Sequence, residues 1–167
     1  MVEGVSGRAR RGRTAAALVV AGLLAGAGLV AGELDSPVFG LAQGPFAADP
    51  GCGRLADRYP DRLAGATRDR VTFAGLAVWG HGAVELRCGV NPPGPTTDAC
   101  VSVDGVDWVW RASAAGGRKK LVTFGRSPAV EVSVSDSAAG LDVVLVDLSR
   151  LVGPIRQGAG CLSAAPL

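Results

Sequence analysis

The sequence predicts an α+β fold: a mostly antiparallel sheet of about six strands, flanked by a short N-terminal helix and a C-terminal helix and preceded by one transmembrane helix. Three observations carry this expectation. An uncharged run, Ala15 to Gly32, follows a cluster of four arginines. Short alternating apolar runs, punctuated by Gly and Pro, fill residues 71–135. The stretch from Leu141 to Val152 then repeats apolar residues at helical spacing.

Residues 1–14 carry Arg8, Arg10, Arg11 and Arg13 against one acid, Glu3, and read as a basic cytoplasmic tail. Residues 15–32 would reach about 27 Å as a helix at 1.5 Å per residue, enough for a thin hydrocarbon core. The arginines orient this segment with its N-terminus in the cytoplasm and everything after Gly32 outside. It reads as a retained single-pass anchor, because the run is longer than most signal cores. Small residues at Ala25-Gly26-Ala27 and Val30-Ala31-Gly32 keep cleavage, and hence secretion, as the alternative. No cysteine follows the run closely, which excludes a lipid-modified cysteine there.

The charge balance follows the same division. The chain has 17 basic and 15 acidic residues, and beyond residue 14 there are 13 basic and 14 acidic, a net of −1. The basic pI therefore belongs to the tail and gives no reason to expect a nucleic-acid partner. Residues 33–51, rich in Pro, Gly and Ala, read as a linker, with Phe39, Leu41 and Phe46 free to pack on the domain or rest at the bilayer. The folded domain is expected over residues 52–167.

That domain is organised around Trp79 to Val90. Gly80 and Gly82 bracket His81 and permit a turn with positive φ. Beyond it Val84, Leu86 and Cys88 alternate with Glu85 and Arg87, so one face is expected in the core and the other in water. A helix is expected at Cys52 to Tyr59, ended by Pro60, with a further turn over residues 61–66. Val71 to Trp79 reads as a strand. Cys100 to Val103 and Val106 to Ala112 flank Asp104-Gly105, a type I′ hairpin signal. A turn at Gly116-Gly117 precedes two more strands, Leu121 to Phe124 and Ala129 to Ser135, around Gly125-Arg126-Ser127-Pro128. Asp136-Ser137 reads as the N-cap of the closing helix, Leu141 to Val152.

Four cysteines, Cys52, Cys88, Cys100 and Cys161, all lie on the expected outside, and an even count there favours disulfides. Three pairings are open. The favoured one joins Cys88 to Cys100 across the proline-rich loop and Cys52 to Cys161 across the ends of the domain. A zinc site adding His81 to the cysteines lacks any Cys-x-x-Cys pair, and so does a redox centre. No metal or other cofactor is expected.

Several motifs occur together: Trp79-Gly80, Leu86-Arg87-Cys88-Gly89-Val90, Gly105-Val106-Asp107-Trp108, and Gly125-Arg126-Ser127-Pro128-Ala129-Val130-Glu131-Val132. With the basic tail and single apolar segment, they resemble an actinobacterial family known as domain of unknown function 3515, over roughly Cys52 to Val152. The resemblance implies a membrane-anchored or secreted domain of this fold and supplies no catalytic residues. Where that pattern would place a proline after Trp79-Gly80, this chain has His81.

Binding candidates follow from residue type. Trp108 and Trp110, two apart, point to one face of a strand. With Trp79 they form either core or a solvent-facing aromatic platform. Arg87 and Arg126 beside such a platform would pair carboxylates, suiting an acidic cell-wall glycan or peptide. His81 is the sole histidine, so acid–base chemistry would rest on it with Glu85 or Asp107 as partner. A solvated turn residue is its simpler reading. No Gly-x-Ser-x-Gly elbow, phosphate loop or dinucleotide fingerprint is present. The leading expectation is thus a non-enzymatic envelope module presented by a membrane anchor, binding an envelope protein or wall component. An accessory subunit of a membrane complex, packing through Gly22 and Gly26, is the second expectation, and an enzyme using His81 the third.

Overall fold

Asp49 opens the first element: its Oδ1 accepts from the backbone N–H of Gly51 at 2.6 Å. Pro50 has no N–H to leave unsatisfied, so helix α1 (Pro50–Ala56) starts there. The computed structural model describes residues 40–111, 117–138, 140–162 and 165–166. The basic tail, the apolar run 15–32, residues 33–39 and part of the turn expected at Gly116-Gly117 lie outside the described residues. Among the described residues, no helix is long and apolar enough to cross a membrane.

Where a further helical turn was expected after Tyr59, the chain forms a tight hairpin, β1 (Arg62–Leu63) and β2 (Ala66–Thr67). Ala64 and Gly65 adopt φ of 47° and 83°, which a right-handed helix cannot contain. The next strand, β3 (Leu76–Trp79), begins at Leu76 instead of Val71, because Gly75 turns the chain at φ 70° just before it. Gly80, His81 and Gly82 are all left-handed, at 63°, 54° and 87°, and return the chain into β4 (Val84–Val90) with Trp79 opposite Val84.

Asp104 and Gly105, at φ 46° and 73°, make the expected hairpin between β5 (Cys100–Val103) and β6 (Val106–Arg111). Strands β7 (Lys119–Thr123) and β8 (Ala129–Val134), helix α2 (Leu141–Val152) and the two-residue β9 (Ala165–Pro166) complete the order. The sheet runs β3-β4-β8-β7-β6-β5-β9; the first six strands are antiparallel, and β9 adds to β5 in parallel. Gly140, not Asp136-Ser137, is the N-cap of α2, and it makes no side-chain capping bond. Asp136 is occupied by Lys119 at 3.1 Å, and the Ser137 hydroxyl by that of Ser135 at 2.7 Å.

One face of the sheet is the core. Register aligns Cys88, Val130, Thr123, Trp108 and Val101 in a row across five strands. Helix α2 covers this face with Val144, Leu145, Leu148, Leu151 and Val152. The opposite face, expected to be wet at Glu85 and Arg87, is only half open. Val78, Val109 and Val122 are buried there, and the two charges are paired: Arg87 with Glu131 at 3.3 Å, Glu85 with Arg118 at 3.2 Å. The domain also begins earlier than Cys52. Gly44 and Ala47 are buried and the Phe46 N–H donates to the Gly89 carbonyl at 2.8 Å, so residues 44–49 pack on β4 instead of acting as linker.

The disulfides are Cys52–Cys88 and Cys100–Cys161, with Cα separations of 5.6 Å and 6.5 Å. The favoured pairing of Cys88 with Cys100 is ruled out by topology. The strands β8, β7 and β6 stand between β4 and β5, which at about 4.8 Å per strand places the two cysteines roughly 19 Å apart. They also face opposite sides of the sheet, since Cys88 shares its row with Val101, the neighbour of Cys100. Cys88 meets α1 under the core face, and Cys100 meets the C-terminal segment.

The Cys52–Cys88 link spans 36 residues, and loop-closure entropy gives it about 4 kcal/mol. Replacing both cysteines by alanine should lower the unfolding free energy in urea by that order. Non-reducing peptide mapping should recover Cys52 with Cys88 and Cys100 with Cys161.

Candidate functional site

The tryptophans do not form an exposed platform. Trp79 and Trp108 are fully buried, and Trp110 is half-buried against the same core. Each buried indole N–H has a partner inside: Trp79 donates to the Pro60 carbonyl and Trp108 to Ser149 Oγ, both at 3.0 Å. Tyr59 packs edge-on against Trp79 with ring centroids 6.0 Å apart, and burial pushes its phenol above the ordinary range.

His81 has a different neighbour from the two expected. Its ring is exposed and Nδ1 stands 3.4 Å from Asp69 Oδ1, while Asp69 Oδ2 accepts the His81 backbone N–H at 2.8 Å. Asp69 thus braces the left-handed turn. Glu85 and Asp107 are engaged elsewhere. Among the described residues, no three His, Cys, Asp or Glu side chains gather in a way that would hold a metal ion.

Arg87 is neutralised by Glu131 on the neighbouring strand. Arg126 is 5 % exposed and acts as a four-pronged tie. Its Nη1 donates to the carbonyls of Gly153, at 3.0 Å, and of Ile155; its Nη2 donates to the Gly105 carbonyl at 2.9 Å and to Gln157 Oε1 at 3.0 Å. Gln157 and the Cys161 backbone N–H both donate to Asp107 Oδ2, at 2.9 Å and 2.8 Å. Burial lowers the pKa of the Arg126 guanidinium, and Asp107 opposes that.

What Arg126 holds is one wall of a groove of about 650 Å³. That wall is the turn after α2, with Pro154, Ile155 and Arg156; the other is α1 and the turn that follows it, with Arg54, Asp57 and Arg58. The floor is Pro128, whose peptide bond from Ser127 is cis. Helix α1 lies directly on it: a Cβ at Gly51 would stand 2.6 Å from Pro128 Cδ. The walls are joined where Arg58 Nη2 donates to the Leu151 carbonyl at 3.3 Å. Among the described residues, none of Arg54, Arg58 and Arg156 has a carboxylate within ion-pair distance. Three guanidinium groups against the single acid Asp57 give the groove a net positive charge. Planar forks of this kind match carboxylate and phosphate oxygens.

The sequence held only a partial signal for this groove. Arg54 and Arg58 are four apart, opposite the buried Cys52 and Leu55, and so share a polar side. Nothing local connects them with Arg156, which the turn after α2 delivers.

A family model described as a protein of unknown function (DUF3515) matches residues 14–158. The chain belongs to the DUF3515 family. This match takes in the apolar run 15–32 as well as all three groove arginines. Neither a curated protein nor a solved structure matches the chain. Two glycines in the motifs of this DUF3515 chain have a steric explanation. Gly89, at φ 77°, lies under the backbone of Phe46, and Gly125, at φ 66°, lies against the backbone of Ala159. A Cβ at either would collide with main chain.

Arg126→Met should destabilise the domain by about 3 kcal/mol, because three part-buried carbonyls and Gln157 lose a charged donor; the midpoint of urea unfolding reads this. Glu85 offers a pH test. Burial raises its pKa, against the pull of Arg118, Lys120, Ser133 and Arg87. Its folded-state pKa then lies above its unfolded one, so its contribution to stability is present in acid and is lost as pH rises through the folded value. Glu85→Gln should remove that part of the pH slope above 4.5, its ordinary value.

Proposed function

We propose that this DUF3515 protein is a membrane-tethered extracytoplasmic domain whose arginine-lined groove binds an acidic component of the cell envelope without transforming it. The groove carries the reading: Arg54, Arg58 and Arg156 converge on one depression with Asp57 as its single acid, and none of the three makes an ion pair among the described residues. Exposed arginines solvate readily wherever they stand. Three sharing a concave site between two rigid walls instead favour an oligomeric anion.

The address rests on separate support. The four tail arginines before an uncharged run follow the pattern that leaves the downstream chain outside, and the family match includes that run. Both disulfides fall in the downstream part, as expected for a domain folding in an oxidising compartment. The ligand class is an acidic wall glycan or peptide, recognised through carboxylate or phosphate groups.

Titration of the full-length protein in a non-ionic detergent with poly-L-glutamate and with a glycerol-phosphate oligomer tests this reading. Binding of at least one is expected, weakening steeply with salt. Arg54→Ala and Arg156→Ala should each weaken it by roughly tenfold, about 1.4 kcal/mol, with the circular dichroism spectrum unchanged. Affinity that is unmoved by both substitutions would sink the groove as the site.

A further inference from the structure

The described surface exposes four large apolar side chains: Phe46, Phe73, Val143 and Leu162. Phe46 and Phe73 are each 53 % exposed, although they are the kind of side chain a core takes first. Their loops touch. Gln43 Nε2 donates to the Ala74 carbonyl at 2.8 Å, and a Cβ on Gly75 would stand 3.0 Å from the Cβ of Ala47. Phe73 also lines a second depression, of about 600 Å³, together with Arg68, Arg70, Asp61 and Asp69. Arg68 is bound to Asp61 at 3.2 Å, whereas Arg70 has no ion pair among the described residues.

These loops lie where the chain reaches the domain from its apolar run. Gly40 follows Gly32 by eight residues, and fully extended backbone at about 3.6 Å per residue cannot separate them by more than roughly 29 Å. Phe46 comes six residues later. We propose that the loops bearing Phe46 and Phe73 rest on the outer surface of the bilayer, with both rings in the headgroup and upper acyl region and Arg70 against anionic headgroups. This rests on the tethered reading above and adds the orientation of the domain. Aromatic rings beside a cation at the level of the headgroups are a stable interfacial arrangement. Val143 is the internal control. It stands in the first turn of α2, after β8 ends at Val134 opposite Val84, at the far end of β4 from Gly89.

The test places a tryptophan at one position at a time in the full-length protein: Phe46→Trp, Phe73→Trp, Val143→Trp and, within the apolar run, Leu24→Trp. Each is reconstituted in phosphatidylcholine–phosphatidylglycerol vesicles whose acyl chains are brominated near the headgroup or near the bilayer centre. The expected result is loss of most of the added emission at positions 46 and 73 with shallow bromines only. Position 24 should be quenched by central bromines, and position 143 unaffected. Quenching at 24 with none at 46 and 73 overturns the contact while leaving the tether standing. Equal quenching at 143 overturns the orientation. No quenching at 24 removes the tether, and the inference falls with it.

Discussion

Trp108 donates its indole N–H to Ser149 Oγ inside a core that excludes water, and this pairing fixes where α2 lies on the sheet. A strand pair presents its inner row at any height a covering helix chooses; a buried donor with one available acceptor does not. Once α2 is placed, Leu145 and Leu148 join one buried cluster with the inner side chains of β4, β8, β7 and β6, and the Cys52–Cys88 crosslink holds α1 to β4. Asp147 extends the arrangement outward, its Oδ2 accepting the backbone N–H of Ala64 in the β1–β2 hairpin at 2.9 Å.

Periodic features were legible before the structure. Leu141–Val152 is a helix over the residues its spacing marks, and the Asp104-Gly105 and Gly80-His81-Gly82 turns form where the residue types require left-handed backbone. Features set by long-range placement were not. Cysteine pairing depends on which strands neighbour one another, and the order places three strands between the two cysteines that the loop length seemed to join. The tryptophans stayed open between core and platform for a related reason: alternation says that Trp108 and Trp110 share a face, but only the position of α2 says that this face is core. At the groove, sequence spacing carried the Arg54 and Arg58 pair alone. The role of Arg126, as the brace behind the site instead of a group within it, depends on carbonyls contributed by the turn after α2 and by the β5–β6 hairpin.

The distribution of charge gains meaning from the fold. Arg87, Arg111, Arg118 and Lys119 pair with acids across or beside the sheet, each pair contributing little at the surface but leaving that face nearly neutral. Arg54, Arg58 and Arg156 at the groove, and Arg70 at the depression beside Phe73, have no ion pair among the described residues. The groove is concave, floored by a proline and braced by a buried guanidinium. The depression carries an exposed aromatic ring. The groove and the depression both border α1, which Cys52–Cys88 fastens to the sheet.

The C-terminal segment, last, changes what kind of partner the sheet can accept. An open edge strand is a template for another chain, since its amides and carbonyls stand unpaired. Here β9 occupies the outer side of β5 and Cys100–Cys161 staples the segment in place. At the other margin β3 is four residues long, and Arg68 forms a bridge with Trp79. Both margins are therefore short, and a visiting peptide finds little backbone to extend. A ligand of the kind proposed above would then be selected through side-chain chemistry, whatever its main-chain conformation and strictly by its charge.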